Sequence, residues 1–539
     1  MMNLILWIAV LAGAALGQHQ HDGPASAKPA ELLDGMGTHS HPIATKSKEA
    51  QQFFDQGLAL IYGFNHDEAA RLFARAAELD PASPMPHWGI AYALGPNYNL
   101  PAMPEREALA WQAIEKATQL MAKAPTRERA YIEALVQRYS KDPAADRKVL
   151  AEKYAAAMKT VMQRYPDDLD AATLYAEAMM NLRPWQLWSL DGKPAEGTLE
   201  ICAVLEGVLR RDPNHPGANH YYIHAVEASP SPEKALPSAG RLETLVPGAG
   251  HLVHMPSHIY ARVGEFERSA TVNEKASEAD RVYLERSKAQ GMYPLGYYSH
   301  NLHFVAYSRM MQGRYKDARD WAQRLRKNVA GAIDGMPMIA AYGAYEWLVL
   351  VRFGKWEEML REKAPAEKDL FLRASYHYAR SAALAGLGRT KAAAGERAKM
   401  EALAKQIPAE AVAMLNPAQQ ILALASVDLA ARIARSKDDA AAEVRQWRKA
   451  VELEDALAYM EPPDWYYPTR EQLGGALLRA GKPDEAEVVF RKDLEKNPRN
   501  GRSLHGLLQA LRALGKTESL AFVEREFQSA WQFADTQLP

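Results

Sequence analysis

The stretch from Phe53 to Pro81, FFDQGLALIYGFNHDEAARLFARAAELDP, decides the fold. Counted in a frame of roughly 34 residues, Gly57, Leu60, Ala69, Phe73, Ala76 and Pro81 take positions 8, 11, 20, 24, 27 and 32. Two helices fit this spacing. Small residues at positions 8 and 20 let the first helix approach the second. Proline at 32 ends the second helix, because it lacks a backbone N–H and its ring clashes with the preceding turn.

The frame recurs along the chain. Gly474, Leu477, Gly481, Ala486, Phe490 and Pro498 fall at 8, 11, 15, 20, 24 and 32, and Gly515 takes 15 in the following unit. Pro213 and Pro247 both take 32, with Ala235 at 20 between them. Gly264, Gly313, Gly354 and Gly388 mark further turns between paired helices. Between about 417 and 460 the frame is degenerate, although the composition stays helical. These residues resemble the tetratricopeptide repeat superfamily over roughly residues 50 to 530. The chain is also similar to uncharacterised exported bacterial proteins of that type with a His-rich middle region. The resemblance implies an all-α fold, a right-handed α-solenoid of helix-turn-helix repeats whose first helices line a concave groove.

The remaining composition bounds function by exclusion. The 539 residues carry 65 basic and 66 acidic side chains, so no charge excess points to nucleic acid or an anionic membrane surface. Residues 1–17 read as a signal peptide: an apolar run from Leu4 to Leu16 is followed by Gly17, and cleavage nearby places the chain in the periplasm or outside the cell. No stretch is long and apolar enough to span a bilayer. Cys202 is the only cysteine, which excludes internal disulfides and cysteine-based metal sites. Residues 18–46, with His19, His21, His39 and His41, read as a flexible linker. The repeats then divide into 47–180, a His-rich segment 181–330, and 331–539. Two insertions break the period. One runs around Asn181–Gly197 with Trp185 and Trp188, the other around Tyr283–Tyr298 with Tyr293 and Tyr297.

Eight of the 16 histidines lie between His215 and His303, where an even spread would put about 3. In the repeat frame His220 and His224 take positions 5 and 9 of one first helix. His251, His254 and His258 take 2, 5 and 9 of the next, and His300 and His303 take 2 and 5 of the third. Those positions share one face, about 125° from the packing stripe at ~100° per residue. They match the ligand-contacting positions of the resembled family. Crowded imidazoles without a cation disfavour each other's protonation and leave polar nitrogens to satisfy, whereas neutral rings are metal ligands.

We therefore expect one or two transition-metal ions, copper first and zinc as the alternative. The seven rings suit a three-histidine site. They also suit a pair of ions, one near His220, His224 and His258 and the other near His251, His300 and His303, with His254 between. Glu227 and Glu177 face the same groove as candidate ligands, outer hydrogen-bond acceptors or general bases. Tyr307 and Arg262 could orient a substrate. Glu227 and Tyr307 are the candidate catalytic residues. His215, in a sharp turn before Pro216, and His377, at a packing position, read as structural. His505 is groove-facing but isolated. These features point to a copper-dependent oxidase or oxygenase acting on a small-molecule or peptide substrate in the groove. The alternatives are a metal carrier or sensor, or a protein-binding scaffold without catalysis.

Overall fold

A computed structural model describes residues 30–538; the expected signal peptide, His19 and His21 lie outside the described residues. Among the described residues the fold is all-α, a succession of helix-turn-helix pairs in which consecutive helices pack on each other. One two-residue antiparallel ribbon, Val412–Ala413 against Asn416–Pro417, interrupts it. Among the described residues no helix is long and apolar enough to cross a membrane. The chain forms two compact units, Met1–Ile259 with Lys275–Lys288, and Tyr260–Glu274 with Ala289–Pro539. The His-rich segment 181–330 thus contributes to both.

The first repeat forms as its sequence dictates. Ser47 caps helix Lys48–Tyr62 by accepting from the Ala50 N–H, and Asn65 caps helix His66–Leu79 by accepting from Glu68. Each such cap contributes about 1 kcal/mol. Phe73 explains why position 8 must be small. A Cβ on Gly57 would lie 2.7 Å from its ring, and one on Gly89 of the next helix 2.5 Å away. In the second unit Gly474 and Gly506 flank Phe490 in the same manner, at 2.4 and 2.2 Å. Alanine at these positions would overpack the layer at a cost of about 1–3 kcal/mol.

The turn between paired helices carries a left-handed residue at position 15. Gly264, Gly313, Gly354, Gly388, Gly481 and Gly515 occupy it, with φ between 65° and 78°. Glycine adopts this backbone without a Cβ clash, so the turn closes without strain. In the first repeat Phe64 takes the same place at φ 55°. A side chain there costs about 1–2 kcal/mol, and a bulky one calls for a reason.

The segment expected to be a flexible linker is packed from residue 30 onward, with Met36, His41 and Ile43 buried. Leu33 and Gln56 exchange two hydrogen bonds at 2.8 and 2.9 Å, and the Gly248 N–H donates to Gly35 at 2.8 Å. Gln51 bonds the chain at both His41 and Ile43. Its backbone groups are satisfied by side chains of the first helix, an arrangement no periodic pattern announces.

Candidate metal centre

Helix Pro216–Val226 begins with His215 as its cap, whose Nδ1 accepts from the Ala218 N–H at 3.2 Å. The next turns carry His220 and His224 on one face, covered by the turn Tyr62–Phe64. Gly217 permits this approach, since a Cβ there would lie 2.3 Å from the Tyr62 ring. His220 Nδ1 donates to the Tyr62 carbonyl at 2.5 Å. His224 Nδ1 donates to Glu227 Oε1 at 2.9 Å, and His258 Nδ1 donates to Glu227 Oε2 at 2.7 Å. One carboxylate therefore takes a proton-bearing nitrogen from each of two rings.

These bonds fix the chemistry of the opposite edges. With Nδ1–H committed, Nε2 of His220 and of His224 each carries a lone pair. Both atoms are buried and have no hydrogen-bond partner, a penalty of about 1–3 kcal/mol each if nothing ligates them. The ligand atoms of His220, His224 and His251 lie within 4.8 Å of one another. Bonds of about 2.0–2.1 Å in a tetrahedral site need separations near 3.4 Å, so small ring rotations close the set. A histidine ligand whose second nitrogen is held by a carboxylate or carbonyl is the arrangement that fixes tautomer and ring direction around metals.

His258 and His254 extend the cluster differently. Their Nε2 atoms are 2.8 Å apart, and Ser257 Oγ stands 3.4 Å from His254 Nδ1. Because His258 donates through Nδ1 to Glu227, its Nε2 accepts here and His254 donates. The pair supports Glu227. The expected two-ion division therefore changes, with His251 joining His220 and His224, and His258 joining Glu227 and His254. The physical reason is Glu227, whose carboxylate takes the Nδ1–H of His258 and turns the other edge of that ring toward His254.

Burial sets the electrostatics. His220 is held well below the usual imidazole range by burial and then by the neighbouring His224; in His251 burial and His220 do the same. In His258 burial lowers the value and Glu227 partly restores it. For Glu227 burial alone would raise the carboxyl, but His224 and His258 outweigh it and hold it low. Burial thus disfavours the charged form of His220, His251 and His258, beside one carboxylate held low.

An aromatic wall closes it. Phe64 stacks on His224 and His251 at 5.9 and 5.5 Å and lies 4.6 Å from His220. Tyr98 sits 5.1 Å from His224 and stacks on Trp185, which meets His224 edge-on at 5.8 Å. Trp188, from the same insertion, donates to the Ala225 carbonyl at 2.7 Å. Trp185 is the second wall residue in left-handed backbone, at φ 59°. Strained positions of this kind concentrate at functional sites. The rings are buried rather than lining a surface groove: His220, His224, His251, His254, His258 and Glu227 are 0–2 % exposed. Trp185 comes from the first insertion, whereas Phe64 comes from the first repeat, which distance in sequence concealed.

Other candidates are placed elsewhere. Glu177 is buried, accepting from Tyr92 at 2.7 Å and from Asn181 at 2.5 Å. In the second unit His303 is buried between Tyr342 and Tyr345, and burial pushes it down to about 3. His300 lies 5.1 Å from Phe304. Tyr307 packs in that unit's core beside Phe266, its phenol raised by burial, rather than lining a groove. Arg262 reaches Glu461 at 4.0 Å. The second insertion folds there as the π-helical turn Tyr293–Tyr297, with Asn328 donating to the Pro294 carbonyl at 2.8 Å. His377 pairs with Glu396 at 2.6 Å, and Gln509 lies 3.0 Å from His505.

A second histidine cluster lies in the first unit, around Asp170 near the start of helix Leu169–Met180. Asp170 Oδ1 takes His39 Nε2 at 2.9 Å, His215 Nε2 at 3.2 Å and the Tyr62 hydroxyl at 2.5 Å, while Oδ2 takes His41 Nδ1 at 2.8 Å. Burial would raise Asp170, but the bonds from His215, His39 and His41 hold it well below the carboxylate range. Burial lowers His39 and His41 less than Asp170 raises them, so both stand above the usual value.

No protein-family description matches the chain, and no curated protein matches it. Among solved structures it is similar to human IFIT1 with PPP-AAAA, at 12% identity over 91% of this chain and 92% of that one, with a TM-score of 0.33. It is also similar to yeast Tom70, at 10% identity over 90% and 93% with a TM-score of 0.32. A third is the APC/C Cut9–Hcn1 hetero-tetramer, at 11% identity over 92% and 79% with a TM-score of 0.30. The fold rests on the helix pairs and turns described above.

Proposed function

We propose that the first unit is a transition-metal-binding module that holds one ion through Nε2 of His220 and His224 and a ring nitrogen of His251. The observation that carries this reading is the pair of buried Nε2 lone pairs, each created by a hydrogen bond at the opposite edge of its ring. Neutral imidazole nitrogens favour copper among the divalent first-row ions, so copper is the first choice and zinc the alternative. The oxidising compartment expected from residues 1–17 agrees with a copper site free of thiolates. Ligands this buried favour tight retention, as in a carrier or store, over the oxidase reading, which needs a way in for substrate. The helix-pair scaffold is compatible with a protein partner that delivers or receives the ion.

Elemental mass spectrometry of untagged protein, loaded separately with copper and zinc and then desalted, tests the reading. One ion per chain is expected in the wild type and less than about a tenth in His220→Ala/His224→Ala, since loss of two of three ligands removes chelation. Equal metal content in the two proteins would overturn the assignment.

A further inference from the structure

Tyr62 belongs to both histidine clusters at once. Its carbonyl accepts from His220 Nδ1 at 2.5 Å, and its hydroxyl donates to Asp170 at 2.5 Å. Its ring lies in the gap left by Gly217, against helix Pro216–Val226, with His39 and His215 rings 5.8 and 5.3 Å away. Phe64, two residues on, is the wall residue that touches all three proposed ligands. The turn that orients His220 and covers the centre is therefore anchored at the Asp170 cluster.

Nothing in the repeat architecture requires that anchor. It is completed by His39 and His41, from a segment outside the repeats that is otherwise held by side chains of the first helix. His41 N–H bonds Asp55 at 3.0 Å, Thr45 bonds Asp80 at 2.6 Å, and the Gln51 and Gln56 bonds tie the intervening chain. Asp170 is the point where this segment and Tyr62 meet.

We infer that the segment around His39 and His41 controls how tightly the centre holds its ion, by positioning Tyr62 through Asp170; this rests on the metal-binding reading above. With the segment docked, Tyr62 is fixed from both ends, its carbonyl holds His220 with Nε2 inward, and Phe64 is pressed over the rings. With the two histidines removed, Asp170 loses two of its four donors, and the turn gains freedom to swing its carbonyl away from His220 Nδ1. The ring can then exchange tautomers or rotate, and the ion is held by fewer prepared ligands. Tyr62, Asp170, His39 and His41 are positioning residues; none donates to the ion.

The test compares full-length wild type with His39→Ala/His41→Ala and with Tyr62→Phe, which removes only the hydroxyl. Copper affinity is measured by competition with a chelator, and the visible and electron paramagnetic resonance spectra of the Cu(II) form report the nitrogen ligands. Loss of a partner bonded directly to a ligand typically weakens metal binding about 10–100-fold; here only the Tyr62 carbonyl touches a ligand, and the Asp170 cluster acts through it. We expect a Kd weaker by about three- to tenfold in both variants, at or below the low end of that range, and altered Cu(II) hyperfine splitting in both, since each cuts the same link between the segment and Tyr62. Adding back the hydrogen-bonding pair as His39→Gln/His41→Gln should restore most of the affinity. Wild-type Kd and spectra in both variants would overturn the coupling while leaving the metal centre intact. A wild type that binds no copper or zinc would overturn the centre and the coupling together. If the alanine pair fails to fold by far-ultraviolet circular dichroism, Tyr62→Phe decides alone, because it removes a single oxygen.

Discussion

The first unit contains two histidine–carboxylate clusters that share a tyrosine and differ at the ring nitrogen turned away from the carboxylate. Around Glu227 the carboxylate takes Nδ1–H from His224 and His258, and the Nε2 edges of His220 and His224 are left as buried acceptors. Around Asp170 the rings donate to the carboxylate as well. His215 shows the difference. Its Nδ1 accepts from the Ala218 N–H, so its Nε2 carries the proton and gives it to Asp170. A cation would need that nitrogen's lone pair, which the helix cap has made unavailable. Both clusters bring three ligating groups within 4.8 Å, so proximity does not tell a metal site from a structural ion-pair cluster. The second nitrogen of each ring does.

The sharpest way to break the contrast is to remove each carboxylate. Asp170→Ala leaves three rings and a phenol facing an empty space in a buried setting. Breaking a buried pair by deleting one partner costs about 3–5 kcal/mol. We expect a drop in Tm of about 2–4 °C for each kcal/mol, read by calorimetry of the metal-free protein. A loss under about 1 kcal/mol would show that the cluster is not a structural tie.

Glu227→Gln should act on the metal first. The amide can accept from one ring through its oxygen but presents its NH2 group to the other, forcing His224 or His258 to change tautomer. An affinity loss of about 10–100-fold is expected, equivalent to about 1.4–2.7 kcal/mol, measured by chelator competition. An unchanged Kd would mean that the carboxylate does not set the ring directions.

The fold was legible because its rules are local. Gly57, Phe73 and Pro81 announce a helix pair by spacing, and the structure gives each of the first two its contact. The centre was legible in part: His220, His224 and Glu227 share one short helix and its cap, where periodicity is a reliable guide. His251 and His258 were less so, since Phe64 against His251 and Glu227 on His258 decide how those rings are aimed, and spacing along the helix names neither partner. The covering turn was hidden by distance, Tyr62 being 158 residues from His220. One cue was present: Phe64 stands where six other turns carry glycine. His39 and His41 read as tether residues because their partner Asp170 is 131 and 129 residues away, with no pattern to join them.

The pH response sharpens the comparison further, through the Asp170 cluster. Raised folded-state values for His39 and His41 mean that their contribution is fully present below the ordinary 6.5 and fades as pH rises through the higher folded values. The lowered Asp170 contributes above 3.8 and is lost as pH falls through its lower folded value. Asp55 and Asp168 also face His41 and support its charge, and Asp212 faces His39. The stability difference between wild type and His39→Ala/His41→Ala should therefore be largest between about pH 4 and 6.5 and shrink toward pH 9. A difference that does not change with pH would show that both rings stay neutral on Asp170.

The smallest expected effect is the most discriminating about the wall. Trp185→Gly removes a ring that is only half-buried and, at φ 59°, also removes the clash of a Cβ in left-handed backbone. Relief of about 1–2 kcal/mol opposes the loss of roughly 1–2 kcal/mol from part of an aromatic side chain's burial. The net change in stability should fall within about 1 kcal/mol of zero, and no ligand is touched. The ring edge over His224 is gone, however, and water and chelator gain an approach that Tyr98 alone does not close. We expect the wild-type one-ion stoichiometry with release to excess chelator faster by at least about fivefold, followed by stopped-flow absorbance. A Phe64→Gly comparison fixes the meaning of the result, since Phe64 is buried and contacts all three rings, so its loss should lower stability and affinity together. If Trp185→Gly releases the ion at the wild-type rate, the insertion is not a gate, and its left-handed tryptophan serves only the contact with Tyr98.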